Sequence, residues 1–165
     1  NVITVGTSTS DSANYAIIEN IQIDMSNYNP SSDAKANGIH IQSSSYCHIS
    51  NCIIHGGQDD INQGFVITDG RFNRITNCIA SGTMMVGASV ADWLYTNASN
   101  DANYNMVSNN IIKSTTRGLL ESSPGGSDEQ DWNAFTNNIV DSTSTAVNVT
   151  GTNTISGLNV KDDIK

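Results

Sequence analysis

Tyr104-Asn105-Met106-Val107-Ser108-Asn109-Asn110-Ile111-Ile112 decides the fold, because close variants of this nonapeptide recur along the chain. Upstream stand Tyr15-Ala16-Ile17-Ile18-Glu19-Asn20-Ile21-Gln22-Ile23, Tyr46-Cys47-His48-Ile49-Ser50-Asn51-Cys52-Ile53-Ile54 and Phe72-Asn73-Arg74-Ile75-Thr76-Asn77-Cys78-Ile79-Ala80. Downstream come Trp132-Asn133-Ala134-Phe135-Thr136-Asn137-Asn138-Ile139-Val140 and the weaker Thr152-Asn153-Thr154-Ile155-Ser156-Gly157-Leu158-Asn159-Val160. Aligned, the copies carry an aromatic residue at the first place, apolar residues at the fourth and ninth, and Asn at the sixth and often at the second.

Before each copy lies a short apolar alternation: Ile3-Thr4-Val5, Ile39-His40-Ile41, Phe65-Val66-Ile67, Ala88-Ser89-Val90, Leu119-Leu120-Glu121 and Val147-Asn148-Val149. A period of two marks strands. Gly38, Gly64, Gly87 and Gly118 precede four of them, and are expected to mark corners. Each repeat then holds three short strands, and three strands close one coil. Coils that stack about 4.8 Å apart bring like residues together. Ile18, Ile49, Ile75, Val107, Phe135 and Ile155 are expected to form one inward ladder, and Ile23, Ile54, Ala80, Ile112, Val140 and Val160 another. Asn20, Asn51, Asn77, Asn109 and Asn137 are expected at a bend, where a stacked row of side-chain amides satisfies the backbone. The aromatic row Tyr15, Tyr46, Phe72, Tyr104 and Trp132 has two readings. Inward packing is the expectation, and an outward platform for sugars is the alternative.

At 165 residues the chain fits one domain, a segment of a longer protein or an assembling subunit. Charged residues make up only 14% of it, which suits strands and turns better than surface helices. A net charge of -9 speaks against nucleic acid as a partner, and no apolar run is long enough to span a bilayer. Cys52 and Cys78 share a repeat place and read as stacked core thiols; His40, His48 and His55 read as surface or satisfied residues. Coil length varies through insertions at 24–36, 92–103 and 122–131. The last two, at one corner, are expected to form a protruding face carrying Trp93 and Tyr95.

The runs Asn105 to Ile112 and Asn133 to Val140 resemble the repeat of the right-handed parallel β-helix, the pectate-lyase-like and phage-tailspike-like superfamily. The resemblance implies an all-β solenoid of about six coils over nearly the whole chain. It also implies an extracellular or cell- or virion-surface location, compatible with the sequons Asn97-Ala98-Ser99 and Asn148-Val149-Thr150. The superfamily includes lyases, hydrolases, tailspikes, adhesins and structural proteins, so function must come from a site. Gln58-Asp59-Asp60 is similar to the Asp-Asp pair of the polygalacturonase branch, but precedes the corner instead of lying on a strand, and the companion motifs are absent.

Lyase chemistry of this kind needs a carboxylate cluster for calcium and a basic residue to take a proton. The basic candidates are Arg71, Arg74 and Arg117, and an acidic group near Arg71 draws on Asp69 and Asp92. The competing reading of Asp69-Gly70 is a plain turn. Glu121 stands where other coils have Val5, Ile41, Ile67, Val90 and Val149. Burial of a carboxylate is costly, so Glu121 is expected to turn outward, a functional carboxylate being the alternative. Trp93, Tyr95 and Trp132 are the candidates for gripping a saccharide, with Asp92 and Asp101 as hydrogen-bond acceptors. Ile53, Ile79, Ile111 and Ile139, at the eighth place, are expected to form an outer apolar stripe that wants a partner.

The leading functional expectation is a structural or adhesive module of an extracellular fibre, spike or surface assembly, self-associating laterally or end to end and contacting glycans. The alternatives are a polysaccharide lyase or hydrolase of the depolymerase type, and a carbohydrate-binding module without catalysis. No resident metal is expected beyond calcium in the lyase reading.

Overall fold

The structure, a computed structural model, describes residues 2–6, 13–27, 36–57, 62–90, 102–121, 132–149, 151 and 153–161. The first three windings each carry three separate strands. They are β1 (Ile3–Val5), β2 (Ile17–Glu19) and β3 (Gln22–Asp24); β4 (Ala36–Gln42), β5 (His48–Ser50) and β6 (Ile53–His55); β7 (Asn62–Thr68), β8 (Arg74–Thr76) and β9 (Ile79–Ser81). Then come β10 (Val86–Val90), β11 (Met106–Ser108), β12 (Ile111–Glu121), β13 (Ala134–Thr136), β14 (Ile139–Asn148), β15 (Ile155–Gly157) and β16 (Val160–Lys161). In this second half the third strand of one winding runs into the first strand of the next, within β12 and β14. The expected six coils of three separate strands are therefore three such coils, followed by windings whose corner has straightened.

Every pairing is parallel and joins equivalent strands of neighbouring windings, and no described residue is helical. This is a parallel β-solenoid. The middle strands form a six-stranded sheet in the order β15-β13-β11-β8-β5-β2; the others form a ten-stranded sheet, joined through β12 and β14.

Register follows the repeat. Ile18, Ile49, Ile75, Val107 and Phe135 are cross-strand partners in series, as are Ile23, Ile54, Ala80, Ile112 and Val140. Apart from half-buried Ile18, these ladder residues are buried and form the core. The last rung departs from expectation by one residue. Ser156, not Ile155, pairs with Phe135, and Lys161, not Val160, pairs with Val140. Side chains alternate with period two, so this one-residue offset turns Ile155 and Val160 outward, to 64% and 59% exposure.

The repeated glycines are not corners. Gly38, Gly64, Gly87 and Gly118 lie inside β4, β7, β10 and β12, and none has positive φ. They are required by close approach: a Cβ at Gly38 would stand 2.5 Å from Ile54 Cδ1, and one at Gly87 would meet Ile112. The ladder of the third strands presses directly on the backbone of the first strands.

Polar ladders occur at both bends, but not at the expected place. Asn20, Asn51, Asn77, Asn109 and Asn137 do sit at a bend, with φ between 53° and 59°, yet all are exposed. The buried amides are one residue further on. Asn110 Oδ1 accepts from the Cys78 N–H at 2.8 Å while its Nδ2 donates to the Ile75 carbonyl at 3.0 Å. Asn138 and Asn159 repeat this bracket on the windings before them. At the second place Asn73, Asn105 and Asn133 do the same, closing the bends that begin at Ser44, Gly70 and Ala102. In each case one side chain satisfies an N–H and a C=O that the bend in the preceding winding leaves unpaired.

Earlier windings use thiols at these places. Cys78 Sγ receives the Cys52 N–H and lies 3.9 Å from the Ile49 carbonyl; Cys47 Sγ receives the Ala16 N–H and donates to the Ala13 carbonyl at 3.2 Å. All three cysteines are free and buried, and burial pushes the Cys78 thiol up to about 12. They are structural groups.

Candidate functional site

Of the candidate catalytic residues, Asp69, Arg71 and Glu121 lie among the described residues. Glu121 does not turn outward: it is fully buried at the end of the Val90 column. Its Oε1 accepts from Asn133 Nδ2 at 2.8 Å and from Thr154 Oγ1 at 2.7 Å, and its Oε2 accepts from the Gly151 N–H at 2.9 Å. Those donors offset the cost of burial that made an inward carboxylate unexpected. Glu121 completes the second-place ladder, where Thr154 stands in for an amide and accepts from the Asn133 N–H at 3.3 Å.

Asp69 lies two windings away, at a bend with φ of 52°, and accepts from Ser43 Oγ at 3.0 Å. Arg71 is exposed and its backbone N–H donates to Ser45 Oγ at 3.2 Å. Asp92, Trp93, Tyr95, Asp101 and Gln58-Asp59-Asp60 lie outside the described residues. Among the described residues no three His, Cys, Asp or Glu side chains are grouped so as to hold a metal ion.

The surface that does stand out is the aromatic row. Tyr15, Tyr46, Phe72, Tyr104 and Trp132 do not pack inward: they are 44% to 71% exposed. Their rings stack in one file along the solenoid axis. Centroids are 5.0, 5.1, 5.1 and 6.3 Å apart in sequence order, and neighbouring planes lie within 14° of parallel. Inward packing failed as an expectation because each of these residues has φ between 59° and 64°. A left-handed residue breaks the strand alternation just before the strand, so the ring leaves the core side.

That backbone angle makes the choice of side chain informative. In five windings both bends take a left-handed residue. At the second bend five windings supply Asn, which tolerates the angle. At the first bend five supply an aromatic, for which it costs about 1–2 kcal/mol each. Four stacked contacts return about 0.5–1.5 kcal/mol each. Stacking therefore returns only part of that strain, and each ring still leaves at least 44% of its surface exposed.

Beside the row, the outer face of the six-stranded sheet forms a trough. Its floor has one column of Ile17, His48, Arg74, Met106, Ala134 and Ile155, and another of Glu19, Ser50, Thr76, Ser108, Thr136 and Gly157. His48 Nε2 lies 2.7 Å from Thr76 Oγ1, and Arg74 is exposed. A cleft of about 280 Å³ opens between rings and floor, lined by Tyr15, Tyr46, Cys47, His48, Phe72 and Arg74. The sequence carried a signal for this pairing, since His48 and Arg74 share the third place of consecutive repeats.

No protein-family model, no curated protein and no solved structure matches this sequence. The fold and its surface therefore define the class directly: a parallel β-solenoid with an external aromatic ridge.

Proposed function

We propose that the chain is a structural and adhesive module, a rod of the pectate-lyase-like and tailspike-like kind that holds its aromatic ridge against a glycan at an extracellular, cell or virion surface. The observation that carries this reading is the use of aromatics, five times over, at a backbone position where Asn is the easier residue. Strain retained at an exposed site points to a task for the side chain. Exposed phenols and ring edges, spaced at one winding, suit a repeating polyhydroxylated polymer that runs along the axis. In the same reading the module self-associates through the stripe of Ile53, Ile79, Ile111 and Ile139, where Ile53 and Ile139 are 38% and 40% exposed.

The test is a glycan-binding measurement on wild type, Tyr46→Asn and Phe72→Asn. Asn suits the left-handed bend, so both variants are expected to stay folded, with unfolding free energies within about 2 kcal/mol of wild type. Binding is expected to fall at least tenfold. Variants that remain folded and bind as wild type does would remove the basis for the adhesive reading.

A further inference from the structure

We infer that the cleft between the ridge and the floor of the trough seats an oxyanion substituent, a carboxylate or a sulfate, carried on the glycan chain. The inference rests on the adhesive reading and names the ligand chemistry of the same surface.

In a file of stacked rings each face is covered by a neighbour, apart from the two ends. What Tyr46 and Phe72 turn toward the cleft is therefore the ring edge, which is the positive part of the aromatic quadrupole. Such edges favour acceptors over the C–H faces of a sugar. Arg74 stands beside them with a planar fork of donors that matches carboxylate or sulfate geometry. His48 lines the same cleft, with its Nε2 held 2.7 Å from Thr76 Oγ1. No acidic side chain lines the cleft, although the chain as a whole carries a net charge of -9. Among the described residues no carboxylate is bonded to Arg74. Positive edges, a guanidinium and the absence of acids from the lining converge on one locus of an otherwise acidic molecule. A polyanion is repelled elsewhere and accepted here, which fixes both position and register of a bound chain.

The experiment compares a polyuronate, a sulfated glycan and a carboxyl-reduced neutral polymer, each titrated against wild type, Arg74→Gln and Phe72→Asn at fixed salt. Arg74 is exposed, so Arg74→Gln is expected to leave the circular dichroism spectrum and melting temperature unchanged. Wild type is expected to bind one or both charged polymers at least tenfold more tightly than the neutral one. Which of them it prefers identifies the oxyanion. Arg74→Gln is expected to lose that preference while keeping the weaker binding common to all three. Equal affinity of wild type for charged and neutral polymers, or a preference that survives Arg74→Gln, overturns the inference and leaves the ridge reading standing. Affinities unchanged by Phe72→Asn overturn the ridge reading itself, and failure of every polymer to bind wild type overturns both.

Discussion

Asn109 and Asn110 are neighbours with opposite fates. Asn109 takes the left-handed angle and lies exposed, whereas Asn110 is buried and brackets the preceding bend. Replacing Asn110 by Ala strands a buried N–H and a buried C=O, at a cost on the order of 3 kcal/mol. Replacing Asn109 by Ala loses only the tolerance of the angle, about 1 kcal/mol, and Asn109→Gly is expected to be close to neutral. Urea unfolding of the three variants checks the order. The Asn-Asn doublet is visible in the sequence, but alternation does not carry through a left-handed residue, so the inward member is the second of the pair and not the expected first. The same break in alternation hid the outward turn of the aromatic row. Glu121 escaped for another reason: its donors, Asn133, Gly151 and Thr154, come from 12 to 33 residues away.

At the scale of the element, the long first strands were the easiest to read and hold the least expected side chain. The registers Ile3 to Ile39 to Phe65 to Ala88 to Leu119 to Val147 follow the alternation directly. Yet the opposite face of this sheet is buried as well, at His40, Val66, Ser89 and Leu120. His40 Nε2 lies 2.7 Å from Thr68 Oγ1, and burial lowers its pKa from 6.5 to about 4. The folded protein thus refuses a proton that the unfolded chain accepts. Stability from this residue is complete above pH 6.5, falls as pH drops toward 4 and then levels off, a change of about 3 kcal/mol at most. Unfolding free energies measured from pH 7 to pH 4 are expected to show this slope in wild type, and to lose that part of it in His40→Gln.

At the scale of the whole molecule, stacking converts single residues into lines. The isoleucine stripe continues through Val160, which pairs with Ile139 and is 59% exposed. Lys113 and Asp141 stand side by side in the next outward column. An apolar line beside opposite charges suits lateral contact with a second copy. Sedimentation velocity across a dilution series is expected to show self-association in wild type, and a monomer for Ile139→Lys. A single concentration-independent species in wild type would remove lateral association from the proposed function.

The change from thiols to amides along the two inner ladders gives the rod a direction. Ala16 and Ile21 offer no clamp at these places; Cys47, Cys52 and Cys78 offer weak ones; Asn105, Asn110, Asn133 and Asn138 hold strongly. Where cohesion resides in contacts between successive turns, a graded grip means that unravelling has an easy end and a hard one. Tension applied to the N-terminal turns is expected to peel them away singly, while the amide-clamped remainder keeps its shape.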